Sequence, residues 1–352
     1  MANTTGGAAV AERTADSVWL SALPIPRIAA VSGLVRPSAE LLLAVRPAAG
    51  ELAGLSGAVT DLAVTHDGRH LVAAHFGEDT VSVIDIATLT VSSVVSGIAE
   101  PYAVAASDRA YVRSASISED SVVAVDLDTG VPLAAREVGV GARGLAVSKS
   151  GDLVYVARST EDVADIAVID VESGHVSTIK VSREPGASVD TVRVNAAGNR
   201  LYATLTTTAG GALVAIDVRS GRVLNTIAVG ASIGDIAVHP DDRRVFVTGW
   251  DADLGGVLRI VDTGAGRVVH TIEMGAGLPS QVIVTSGCAY LADGNEVVVV
   301  DTATARIAER IDIGRPVSCL AVSRDGSCLY VGDYEGAVAA LEVRSAGLRA
   351  AS

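Results

Sequence analysis

The amino-acid sequence predicts an all-β chain folded as a seven-bladed β-propeller closed by an N-terminal strand. A strand-turn-strand phrase recurs seven times. Its clearest copies are LAVTHDGRHLV from Leu62, LAVSKSGDLVYV from Leu145, VRVNAAGNRLYA from Val192, IAVHPDDRRVFV from Ile236 and LAVSRDGSCLYV from Leu320, with weaker copies from Ala103 and Val282. The copies stand 38 to 47 residues apart, about the length of one four-stranded blade, and each is followed by a second apolar run closing on an acid. Composition agrees: 49% of the residues are apolar but only 3% aromatic, so Val, Ala, Ile and Leu must fill the space between blades, and 36 glycines suit a chain that turns about four times per blade.

The third copy, residues 144–182, shows how the phrase builds a blade. GLAVS alternates over a strand's length and stops at Lys149-Ser150-Gly151-Asp152, a tight turn relieved by its glycine; this is strand a. DLVYVA returns as strand b, the variable STEDVAD forms a loop, IAVID makes strand c, and Val171-Glu172-Ser173-Gly174 turns the chain into HVSTIKV, strand d. The acid closing strand c recurs as Asp85, Asp126, Asp170, Asp217, Asp262 and Asp301, with Glu342 in the last copy. Before a T-x-G or S-G turn such a carboxylate accepts the backbone N–H two residues on, so the series is expected to fix turns, not to hold a metal.

The last repeat ends before a convincing strand d, while ELLLAVRPAAGELAGLSG, residues 40–57, precedes the first full one. A strand from this segment, either Leu41 to Val45 or Leu52 to Leu55, is expected to complete blade 7 and remove an open sheet edge. The chain divides accordingly into an N-terminal segment 1–36, partly disordered or docked through its apolar stretch from Val18-Trp19-Leu20 to Leu34-Val35, a propeller 37–346 and a tail 347–352.

The pattern resembles the YVTN-type β-propeller family, related to surface-layer propellers of bacteria and archaea. The resemblance rests on Val83-Ile84-Asp85, Val168-Ile169-Asp170, the DGR, SGD and DGS turns, Leu153-Val154-Tyr155-Val156, Leu329-Tyr330-Val331, and the IAVG and IDIG strand ends at Ile227 and Ile311. It covers about residues 59–345 and implies a seven-bladed propeller without a shared enzymatic activity. The Y-V-T-N tetrapeptide itself is absent, as are the Trp-Asp and Gly-His signatures of WD40 repeats.

A formal charge of −14 and the lack of any Lys/Arg run argue against a nucleic-acid partner. The N-terminus has neither a basic region nor an unbroken apolar stretch, since Pro24 and Pro26 interrupt it, so no secretory signal or membrane span is expected. A cytoplasmic monomer is the default, with export by another route left open. Cys288, Cys319 and Cys328 form no CxxC pair, and the hairpin is expected to place Cys319 near Tyr330 and Cys328 near Ala321, so no disulfide is expected.

In a propeller the b-to-c and d-to-a loops share one face, around the channel mouth, and here that face is the variable one. Arg113, Arg143, Arg158 and Arg183, in blades 2 to 4, have guanidinium forks suited to a carboxylate or phosphate. Trp250, Asp251, Asp293, Asp333 and Tyr334, in blades 5 to 7, form an acidic, partly aromatic sector, and His75 is the histidine on this face. No HExxH, Cys/His cluster, EF-hand loop or GxSxG is present, so no metal, cofactor or catalytic set is expected. These residues favour a non-catalytic scaffold that binds a protein or polar ligand on the variable face. The alternative is a small lactone or ester hydrolase, or a cofactor-binding propeller, with its site at the channel mouth and Asp293, Asp333 or His75 as base.

Overall fold

A computed structural model describes residues 44–55, 57–116 and 118–344. The segment 1–36, the tail 347–352 and most of the Leu41–Val45 candidate lie outside the described residues. Within them, 28 strands form seven four-stranded antiparallel sheets, and the single helical element is one 3-10 turn, Phe76–Glu78. The innermost strands are Asp61–Val64, Val104–Ala106, Ala142–Val147, Val192–Val194, Ile236–Val238, Gln281–Val284 and Val317–Val322. Blade 2 therefore starts at Val104, one residue after the expected Ala103, while the inner strands of blades 3 and 7 start at Ala142 and Val317, three residues before Leu145 and Leu320.

Ring closure is carried by Ala44–Leu52, which pairs antiparallel with Val338–Arg344 and becomes the outer strand of blade 7. The strand bridges both sequence candidates instead of choosing one. Its register slips between Pro47 and Glu51, where the proline, lacking an N–H, cannot continue the ladder. Glu51 Oε1 then meets Arg315 Nη2 at 2.6 Å, and Arg315 Nε meets the buried Asp333 at 2.8 Å, tying the strand to the loop that enters blade 7.

Packing between blades follows from the pleat. Aligned by pairing with strand c, the third position of strand b is Val72 in blade 1 and then Tyr111, Tyr155, Tyr202, Phe246, Tyr290 and Tyr330, each buried. Six of the eleven aromatic residues are thus spent as wedges between neighbouring sheets. Small inner-strand residues allow close approach: a Cβ on Gly144 would lie 2.7 Å from Asp190 O, to which the Gly144 N–H donates.

The acids closing strand c fix turns, most of them by a bond one residue longer than expected, while Asp301 also accepts the expected N–H two residues on, from Ala303 at 2.9 Å. Asp85, Asp126, Asp170 and Asp217 accept both the N–H and the hydroxyl of Thr88, Thr129, Ser173 and Ser220, three residues on. These bonds to the ionised form hold the four carboxyls below the usual range. The cysteine register also differs: Cys319 pairs with Gly332, not Tyr330, and Cys328 lies beyond the Val322–Leu329 pair; these two thiols and that of Cys288 in blade 6 are free.

A chain lacking residues 1–52 is expected to expose the backbone edge of Val338–Arg344 and to aggregate. The loss should amount to several kcal/mol, at roughly 1.5–3 kcal/mol for each fully buried apolar side chain that becomes exposed. Size-exclusion chromatography and melting curves check this. A monomeric product with an unchanged melting temperature would mean that closure does not depend on this strand.

Candidate functional site

The inner strands and the loops that enter them, drawn from all seven blades, line a central channel of about 880 Å³. An inner strand has a neighbour on one side only, so its other backbone groups face the lumen and need partners. The chain supplies them from the residue just before the strand's first core position. Asp61 Oδ2 accepts the Val104 N–H of the next blade at 2.8 Å, Asp235 Oδ2 that of Val282 at 3.0 Å, and Gln281 Oε1 that of Leu320 at 2.5 Å. Arg193 Nη2 spans blades 4 and 5 to Asp235 Oδ1 at 2.9 Å.

Asp61 is the unusual member of this ring. It makes no ion pair among the described residues, and it accepts the Leu62 and Val104 N–H groups. Protein surrounds it on every side except the lumen, to which part of the side chain stays open. Burial pushes its pKa up to about 6, with the Val104 N–H and the Arg193 charge opposing. The channel thus holds a carboxyl able to exchange a proton near neutrality.

Of the residues singled out from sequence, Arg113, Arg143 and Tyr334 line the channel, together with Tyr102 and Asp190. The others stand apart from its wall. Arg158 grips Asp165 through Nε at 2.7 Å and Nη2 at 2.9 Å and also reaches Val138 O and Thr178, so its donors are spent inside blade 3. Arg183 is exposed outside the channel lining.

The expected acidic sector is neutralised from within. Asp251 pairs with Arg259 at 2.6 Å, Asp293 with Arg310 at 3.6 Å and Asp333 with Arg315 at 2.8 Å. Burial raises the pKa of Asp293 while Arg310 opposes it. Asp333 also accepts the Glu335 and Ala337 N–H groups.

His75 corrects the expectation of an accessible histidine. It is 0% exposed, its Nε2 lies 2.9 Å from Ser82 Oγ and its Nδ1 3.2 Å from Gly57 O, and burial lowers its pKa. It is a satisfied core residue. Among the described residues no group of His, Cys, Asp and Glu is arranged to hold a metal ion, and no helix is long and apolar enough to cross a membrane.

The distribution of aromatics singles out one face. The four exposed aromatic side chains among the described residues, Phe76, Tyr102, Trp250 and Tyr334, are 40–56% exposed; Phe76, Tyr102 and Tyr334 stand on b-to-c or d-to-a loops, and Trp250 stands at the end of strand b where it enters the b-to-c loop. Phe76 meets Tyr102 edge to face at 6.3 Å, and the Arg113 guanidinium lies 5.7 Å from the Tyr102 ring centroid. On the opposite face the a-to-b and c-to-d turns carry none of the exposed large apolar residues. Sequence reasoning named Trp250 and Tyr334, placed Tyr102 and Asp235 on loops without giving them a role, and missed Asp61, Arg193 and Gln281. Their position beside each strand's first core residue was the available signal.

The seven-bladed β-propeller protein Rv1057 of Mycobacterium tuberculosis is 30% identical over 326 residues, which cover 82% of this chain and 83% of Rv1057. Among solved structures, a chain of the hydrazine synthase of Kuenenia stuttgartiensis superposes with a TM-score of 0.72 at 21% identity, over 84% of this chain and 98% of its own. At that identity the likeness concerns the fold alone. No family model matches.

The raised pKa of Asp61 has a definite sign in stability. The folded state holds the proton more tightly than the unfolded state, so the protein gives up stability as pH rises from about 4 through 6. Relative to wild type, Asp61→Asn is expected to gain melting temperature between about pH 4 and pH 7.5. Paired melting curves at the two pH values measure it, and an unchanged difference would place the Asp61 titration outside this window.

Proposed function

The chain belongs to the same seven-bladed β-propeller family as Rv1057, and on that premise we propose that it is a non-catalytic scaffold binding a protein or polar ligand on the face around the channel mouth. One observation carries this reading: every exposed aromatic among the described residues is on that face, in a chain with only 3% aromatics. Exposed Tyr and Trp offer large, rigid, amphipathic contact surface and are enriched where proteins bind partners. The irregular loops stand on rigid blades, the usual division between a scaffold and its recognition elements. The DGR, SGD and DGS turns further support assigning the repeats to the YVTN type.

A second reading has an observation of its own. A hydrolase at the channel mouth requires a deep polar pocket and a carboxyl of raised pKa, and the channel with Asp61 meets both requirements. Asp61 replaces His75, Asp293 and Asp333 as the base in that alternative, because those three are buried or paired.

The scaffold reading predicts that Tyr102→Ser with Trp250→Ser and Tyr334→Ser keeps the wild-type melting temperature but loses most partners retained from a native extract. Changing the exposed rim residues Leu133 and Leu224 to Ser is expected to lose none. Equal retention by both variants would remove the channel-mouth face as the binding surface. Turnover of a lactone panel by wild type, abolished in Asp61→Asn, would favour the hydrolase instead.

A further inference from the structure

Arg113 occupies a position that the other six blades reserve for small residues. Aligned by their pairing with strand c, the fifth positions of strand b are Ala74, Arg113, Ala157, Thr204, Thr248, Ala292 and Gly332, each opposite an apolar residue. Arg158 is one position further along, directly opposite Asp165. The two arginines therefore point to opposite faces of their blades. Directly across the strand pair Arg158 finds a carboxylate and Arg113 finds Val122, with Asp120 reached only at 3.8 Å.

The consequence is a guanidinium with unmet donors. The Arg113 side chain is only 15% exposed, its Nε is buried without a partner, and among the described residues its guanidinium makes no hydrogen bond. Its one ion pair among the described residues, with Asp120, is long at 3.8 Å and without a hydrogen bond, and Asp120 Oδ2 already accepts the Ala142 N–H at 2.8 Å. A desolvated charge left in this state costs stability and serves no packing role that alanine fails to serve elsewhere. Arg113 lines the channel mouth beside Tyr102, and so does Arg143, whose nearest carboxylate, Asp190, lies 3.7 Å away.

Resting on the reading of this face as the binding surface, we propose that Arg113, with Arg143, forms the anchor of a site for the carboxylate of a small organic acid. Two guanidinium forks supply paired donors matched to a planar carboxylate, and the Tyr102 ring holds one fork in place. Asp61, Asp190 and Asp235 on the same channel wall, and a net charge of −14, disfavour the denser charge of a phosphate dianion.

The test is calorimetric titration of the full-length protein with succinate, inorganic phosphate and putrescine at constant ionic strength. Succinate is expected to bind wild type and Arg183→Ala alike, to bind Arg113→Ala about tenfold more weakly or worse, and to bind better than phosphate, with putrescine silent. Equal succinate binding by Arg113→Ala, tighter binding of phosphate, or no succinate binding to wild type would each overturn the carboxylate site. Melting without ligand is a second measurement: Arg113→Ala, matching the sister blades, should melt no lower than wild type, and a fall of several degrees would make Arg113 a structural residue and overturn the proposal. Failure here with partner retention still dependent on Tyr102, Trp250 and Tyr334 leaves the scaffold reading standing. Succinate binding with retention independent of those residues upholds the site and removes the partner.

Discussion

The pairing of Ala44–Leu52 with Val338–Arg344 is the contact on which the rest of the molecule depends. Each blade packs only on its two neighbours, so an unclosed array would leave blade 7 one strand short and the channel open along its length. Joining residues nearly 300 positions apart converts seven local hairpin sheets into a ring. The Glu51–Arg315–Asp333 pairs sit at this seam, where chain connectivity gives no help.

Closure creates a second constraint at the centre. Seven inner strands present unpaired backbone groups to the lumen, and the chain meets part of this demand with Asp61, Asp235 and Gln281, each accepting an N–H from the following blade. The polar character of the channel is therefore first a structural requirement. Two groups exceed that requirement: among the described residues Asp61 has no cationic partner in ion-pair contact, and the Arg113 guanidinium makes no hydrogen bond and only a 3.8 Å ion pair to Asp120.

The outer part of the variable face obeys a different rule. Arg158 with Asp165, Asp251 with Arg259 and Asp293 with Arg310 cancel charges within single blades. The two sectors of opposite sign suggested by residue types along the chain do not persist as separate fields. Aromatic exposure, not net charge, distinguishes this face from the other.

How far the sequence could be read depended on the range of the interactions involved. The blades were legible because a period of two along a strand and Gly-rich turns between strands act over a few residues, and the turn role of Asp85, Asp126, Asp170 and Asp217 followed from the same local chemistry. The site was legible only in part. Arg113 and Arg158 both precede a serine at the end of strand b, yet one lies two residues after Tyr111 and the other three after Tyr155, and that single step sends them to opposite faces. His75 shares a loop boundary with exposed residues but is sealed by Ser82 and Gly57. The sequence by itself determined the fold class, the blade count and the position of the variable face, because each is written in short-range periodicity. Only the tertiary structure decided which charges are spent on one another and which remain available, since partnership between side chains depends on register and on blade-to-blade contacts that no local pattern encodes.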